Sequence, residues 1–288
     1  MPHLFFSLVL SCQSMIEQPQ PKKAQNRLLA IGDIHADLEA TKEVLILAGI
    51  INKNHTWIAK NTILVQTGDL TDRGPDGNGT LKFIQQLELD APKHNSKLIT
   101  LIGNHESMNL MGDWRYVSQE DVKDFGGLEK RKSAFSKEGI WREWFLTHDT
   151  VKKVGNTVFV HGGISEEYAK LGIENINLQV KNALISRSKA EILSSNGPLW
   201  YRGYLKNEES IACKELSRAL KLLDAKRMVV GHTTQRDGQI AYRCNGALIG
   251  IDTGISSHYG KNLSVLDLTS DDARAIYIGK NTDIPDPS

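Results

Sequence analysis

The sequence predicts an α/β architecture in which two β-sheets pack together and helices flank them. Short apolar, β-branched runs recur along the chain, and after the first two the apolar residues switch to helical spacing. Five runs read as buried strands: Arg27–Ile31, Thr62–Thr67, Lys97–Ile102, Thr157–Val160 and Arg227–Val230. LEATKEVLILAG after the first and NGTLKFIQQLE after the second carry the helical spacing, so β-α-β units follow one another. GALIGIDTG, NLSVLDLT and ARAIYIG then suggest further strands with tight turns, expected to form the second sheet. The Trp-containing stretch 135–149 reads as an amphipathic helix packing Trp141, Trp144 and Phe145 into the core, with a lid or substrate wall as the alternative.

With 288 residues the chain fits one large domain, expected over 27–280, behind a signal or tether segment over 1–26. A net charge of +1 offers no global attraction to nucleic acid or to an anionic membrane, so any phosphate binding is local. The three cysteines, Cys12, Cys213 and Cys244, exclude a disulfide framework or thiolate metal cluster and leave room for one Cys213–Cys244 bridge. No apolar run is long enough for a mature transmembrane helix. LFFSLVLSC at the start resembles the tail of a secretory signal, and VLSC a bacterial lipoprotein cleavage site with Cys12 as the lipid anchor. The alternatives are a cell-envelope lipoprotein and a cytoplasmic protein with a frayed apolar N-terminus.

Each of the five runs is followed at once by a polar motif: GDIHADLEA (32–40), GDLTDRGPDG (68–77), GNHESMN (103–109), HGGIS (161–165) and GHTT (231–234). Any one alone is weak, because Gly-Asp after a strand is usually a turn and a lone histidine usually a structural residue. Ligands in such layouts bind beyond the carboxyl ends of strands, and there Asp33, His35, Asp69, Asn104, His161 and His232 converge. This oxygen and nitrogen set suits Mn, Fe or Zn and is unlike an all-oxygen calcium cage. Six ligands are too many for one catalytic metal with open positions. Two divalent ions about 3.5–4 Å apart, bridged by a shared carboxylate, would use them all.

The five motifs, in this order, resemble the calcineurin-like metallophosphoesterase superfamily, and GDLTDRG with GNHE its phosphoprotein phosphatase family. NLMGDWRYV (109–117) and GPLWYRGY (197–204) are similar to the bacterial-type Shewanella-like phosphatases. The resemblance implies the metallo-dependent phosphatase fold and a metal-dependent phosphomonoesterase. Its substrates would be phosphorylated proteins, on tyrosine or on serine and threonine, or small phosphomonoesters, and the protein would act as a monomer. By motif, Asp33 and His35 would bind the first metal, Asp69 would bridge, and Asn104, His161 and His232 would hold the second. His105 would be the general acid and Asp72 the carboxylate that orients it, while Arg73 and Arg202, with Arg115 as a further candidate, would contact phosphate.

The chemistry asks for these residue types independently. Two metals lower the pKa of water so that hydroxide exists near neutral pH, and guanidinium groups answer phosphoryl charge with bidentate donors. A serine alkoxide leaves poorly without a proton, which a histidine paired with a carboxylate supplies. Ala36 stands where the family's first motif usually has glycine, and the C-terminal SAPNY segment of eukaryotic members is replaced by IDTGIS (251–256). Rival readings are a diadenosine tetraphosphatase-like nucleotide hydrolase, a non-catalytic phosphopeptide-binding protein and a phosphodiesterase. GDWRYV and PLWYRGY argue against the first, the complete ligand and acid set against the second, and the paired arginines against the third.

Overall fold

The computed structural model describes residues 26–269 and 273–287, so Cys12 and nearly all of the segment 1–26 lie outside the described residues. Among the described residues eleven strands form two sheets. The first holds β1 (Arg27–Ile31), β2 (Thr62–Gln66), β3 (Lys97–Thr100), β9 (Val265–Asp267), β10 (Ala273–Tyr277) and β11 (Lys280–Ile284), in the order β11-β10-β9-β1-β2-β3. The second holds β4 (Val151–Val154), β5 (Thr157–Val160), β6 (Arg227–Val230), β7 (Ala241–Arg243) and β8 (Leu248–Gly250), in the order β4-β5-β6-β8-β7. Strands β1, β2 and β3 run parallel, as do β5, β6 and β8.

Alternation along each strand builds the layers. Ala30, Val65 and Leu266 of the first sheet cluster with Phe159, Val229 and Ile249 of the second, a core between the sheets. The opposite face, with Leu29, Ile31 and Leu64, packs on α1 (Leu38–Leu47) and α2 (Gly77–Asp90). Those helices bury Ala40, Val44 and Leu45, and Leu81, Ile84 and Leu87, at helical spacing. The Asp37 side chain caps α1 by accepting from the Ala40 amide at 3.0 Å. Strands covered on both faces read as continuous apolar runs, which is why TILVQ, TVFV and RMVV stand out.

The division between the sheets differs from the sequence expectation. Thr157–Val160 and Arg227–Val230 belong to the second sheet, whereas β9 and β10 return to the first. A fully apolar run is equally suited to the middle of either sheet, so pattern alone cannot assign it. Residues 104–145 contribute α3 (Asn104–Met111), α4 (Gln119–Asp124), α5 (Leu128–Ala134) and a short helix at Ile140–Phe145. The last buries Trp141 and Phe145 and packs the half-buried Trp144 on the core, the helical alternative for 135–149. Cys213 and Cys244 are joined by a disulfide. Among the described residues no helix is long and apolar enough to cross a membrane.

Candidate active site

The loops that follow β1, β2, β3, β5 and β6 meet at one end of the sandwich, so both sheets supply the site. The six expected ligands are all buried. His161 Nε2 lies 2.8 Å from Asn104 Oδ1 and 3.2 Å from Asp69 Oδ2. His35 Nε2 is 3.7 Å from Asp69 Oδ2 and 4.0 Å from Asp33 Oδ2. The Asp33 carboxylate accepts from the His232 amide at 3.0 Å, tying the first loop to the last. Two groups have ligand atoms within 4.8 Å of one another, His35 with Asp69 and His105, and Asp69 with His161 and His232. Asp69 is common to both.

Glycines make the approach close enough. A Cβ on Gly231 would stand 2.3 Å from Asp33 Oδ1, and one on Gly103 would stand 2.2 Å from Asp69 Oδ1. His35, Asp69, Asp72, Arg73 and His232 all have left-handed backbone, φ between 43° and 69°, a concentration of strain usual at functional sites. Ala36 shares it at φ 52°, a backbone that glycine adopts without strain.

The site fits divalent ions. The Nδ1 of His35 faces the Thr71 carbonyl at 3.2 Å, which makes Nδ1 the donor and leaves the Nε2 lone pair pointing inward, and the Nδ1 of His161 faces the Thr67 carbonyl at 2.9 Å, which turns its Nε2 toward Asn104 and Asp69. His232 Nε2 is buried with no protein partner. Burial holds His35 down to about 4 and His232 well below the ordinary histidine value, so both rings are neutral at physiological pH. Burial, with Asp252 and Asp69 beside it, pushes Asp33 well above the carboxylate range. Burial opposes the Asp69 charge too, yet the His161 and His105 rings hold that carboxyl well below its ordinary value. Crowded acids beside the neutral His35 and His232 rings are an arrangement that cations relieve.

His105 Nδ1 is 2.8 Å from Asp72 Oδ2, and its Nε2 is 3.9 Å from Asp69 Oδ2, on the ligand side. Arg73 lays its guanidinium 3.8 Å above the Tyr116 ring, which touches His105, and its Nε is buried without a partner. Arg202 Nη1 donates to the His232 carbonyl at 2.8 Å. Arg115 sits farther out, its side chain 65% exposed and paired with Asp113 at 2.6 Å. Sequence reasoning gave no part to Tyr259 and Trp200, whose rings contact His35 and His232. It also missed Glu106 and Asn109, although both stand in the GNHESMN motif, and Arg131, which has no motif around it.

The Calcineurin-like phosphoesterase family profile matches residues 26–236, and the chain belongs to that family. Shewanella-like protein phosphatase 1 of Plasmodium berghei is 34% identical, over 90% of this chain and 77% of that one. Shewanella-like protein phosphatase 2 of Arabidopsis thaliana is 32% identical, over 91% and 79%. The structure of a cold-active protein-tyrosine phosphatase from a psychrophilic Shewanella matches with a TM-score of 0.78 at 26% identity, covering 90% of this chain and 80% of that one. Within the family, the chain's place is among the Shewanella-like protein phosphatases, metal-dependent hydrolases of the phosphoprotein phosphatase type.

Proposed function

We propose that the chain dephosphorylates proteins at a binuclear centre, with Mn²⁺ as the ion that supports activity in vitro. Asp33 and His35 would hold one ion, Asn104, His161 and His232 the other, and Asp69 would be the ligand common to both. The observation that carries this reading is the convergence of buried ligand side chains on Asp69, whose carboxylate lies close to His35, His161 and His232. When bound, such ions lower the pKa of water and offset phosphoryl charge. Asp72 fixes the His105 ring so that Nε2 faces the site, from which it protonates the departing oxygen. Arg73 and Arg202, from two separate loops, clamp the phosphoryl oxygens with forked donors. Phosphotyrosine is the first substrate to test, because the Shewanella structural relative is a protein-tyrosine phosphatase.

Export accompanies this reading. A Cys213–Cys244 disulfide suits an oxidising compartment, which supports Cys12 as a lipid anchor in the cell envelope over a cytoplasmic location. The decisive experiment is a metal-supplemented screen of phosphotyrosine peptides, phosphoserine and phosphothreonine peptides, and dinucleoside polyphosphates. Chelation is expected to abolish hydrolysis and Mn²⁺ to restore it. Full activity in metal-free protein would sink the binuclear reading, and turnover of the dinucleotides alone would favour the nucleotide hydrolase.

A further inference from the structure

Beneath the acid pair lies a charged cluster centred on an arginine that no sequence motif announces. Arg131, on α5, is fully buried together with Asp72, Asn109 and Asp121. Its guanidinium spends its fork on three elements: Nη2 donates to Asp72 Oδ1 at 2.9 Å, Nη1 to Asn109 Oδ1 at 2.6 Å, and Nε to Asp121 Oδ2 at 2.7 Å. Asn109 closes the circuit by donating to Asp72 Oδ1 at 3.0 Å. The rings of Trp114, Phe125 and Phe135 stand 5.0–5.3 Å from the guanidinium carbon and wall the cluster with apolar surface. Asp121 in turn accepts from the amide of Gly77, the first residue of α2, at 2.9 Å.

A buried ion pair is weak evidence of a stabilising role, since apolar side chains of similar volume often serve as well. What apolar packing could not do is hold Asp72 in one rotation. Oxygen Oδ1 of Asp72 is occupied by Arg131 and Asn109, so only Oδ2 is left for His105. That fixes the imidazole with Nε2 toward Asp69. A lysine could not reproduce three donors in one plane.

We propose that Arg131 is a positioning residue for proton donation: through Asp72 it locks the His105 ring in the orientation that delivers a proton to the leaving oxygen. The inference rests on the assignment of His105 as the acid. It predicts an effect graded by the leaving group, because dinitrophenolate departs without a proton and phenolate does not.

The test compares kcat for dinitrophenyl phosphate and phenyl phosphate in the Mn²⁺-loaded enzyme, for Arg131→Lys and for the charge-balanced double variant Arg131→Gln/Asp121→Asn. Because each ratio comes from one preparation, the folded fraction cancels, and the double variant serves if the lysine variant is insoluble. Phenyl phosphate turnover is expected to fall about tenfold more than dinitrophenyl phosphate turnover, with KM and metal content near wild type. In an Asp72→Asn background the Arg131 changes should no longer move the ratio. Equal losses on both substrates, or no loss on either, would reduce Arg131 to a structural part. If His105→Ala leaves the ratio at its wild-type value, the acid assignment itself fails and the role of Arg131 falls with it.

Discussion

Replacing Glu106 with glutamine changes one oxygen to a nitrogen at constant size, at a carboxylate that meets only donors. Oε1 accepts from the amides of Leu70 and Thr71 at 2.8 and 3.1 Å and from the Thr71 hydroxyl at 2.9 Å. Oε2 accepts from the amides of Asp69 and Gly103, both at 2.8 Å. Whichever way the new amide turns, its NH₂ faces at least two of these donors, and the side chain is fully buried. Hydrogen bonds to a charged group contribute about 1.5–3 kcal/mol each, so losing two costs on the order of 3–6 kcal/mol. At roughly 2–4 °C per kcal/mol for a chain of this size, Tm should fall by at least about 6 °C. The assay is thermal unfolding followed by circular dichroism in chelator, where metal binding cannot mask the loss. Mn²⁺ titration should show affinity weakened by about 10- to 100-fold, since Glu106 fixes the backbone of Asp69. A Tm within about 2 °C of wild type, or unaltered Mn²⁺ affinity, would refute the idea that Glu106 frames the ligand loop.

Arg73→Lys and Arg202→Lys should each cost about 2–3 kcal/mol in transition-state stabilisation, roughly 30- to 150-fold in kcat/KM, and weaken inhibition by inorganic phosphate. A variant with unaltered kcat/KM and phosphate inhibition would mark that arginine as structural and make Arg115 the next to test. In chelator-stripped protein, burial opposes charge on His105, but the Asp69 and Asp72 carboxylates outweigh it and raise its pKa above 6.5. The ring therefore contributes stability that is complete below its ordinary value and is lost as pH rises through the folded one. Asp72→Asn should lower the titration of the His105 ring by NMR, and an unmoved titration would show that the contact is not electrostatic. Expression of the full chain in a bacterium should give membrane-fraction protein lacking residues 1–11, and Cys12→Ala should prevent acylation. A soluble product with an intact N-terminus would rule out lipidation.

How legible each part was depended on burial. Interior strands such as TVFV declare themselves because both faces are covered. The edge strands β4, β7 and β11 went unread because VKKV, AYR and KNTDI follow no apolar pattern, whereas β3, at an edge as well, carries the apolar run that was read. The residues expected as ligands stood out because five of the six, all but His35, stand beside a glycine at a strand end, where close approach demands a particular local sequence. Arg131 was hidden by its neighbours. LEKRKSA looks like the solvated face of a helix, and Lys130 and Lys132 do reach solvent, while the arginine between them turns inward to a carboxylate 59 residues away in sequence. Nothing local distinguishes it.

Strand β1 is flanked by β2 on one side and by β9 on the other, where Leu29 faces Asp267 and Ala30 faces Leu266. Of the described strands β1 is the earliest made, and it waits for one of its two neighbours until synthesis has passed Val265. Through that interval one row of its amide and carbonyl groups has no native partner, next to apolar side chains destined for the interior, a combination that invites pairing with other chains. Closing such a long loop is also slow. A chain ending before Val265 would keep the exposed edge permanently, so loss of the C-terminal strands would show first as aggregation during synthesis, well before any question of catalysis arose.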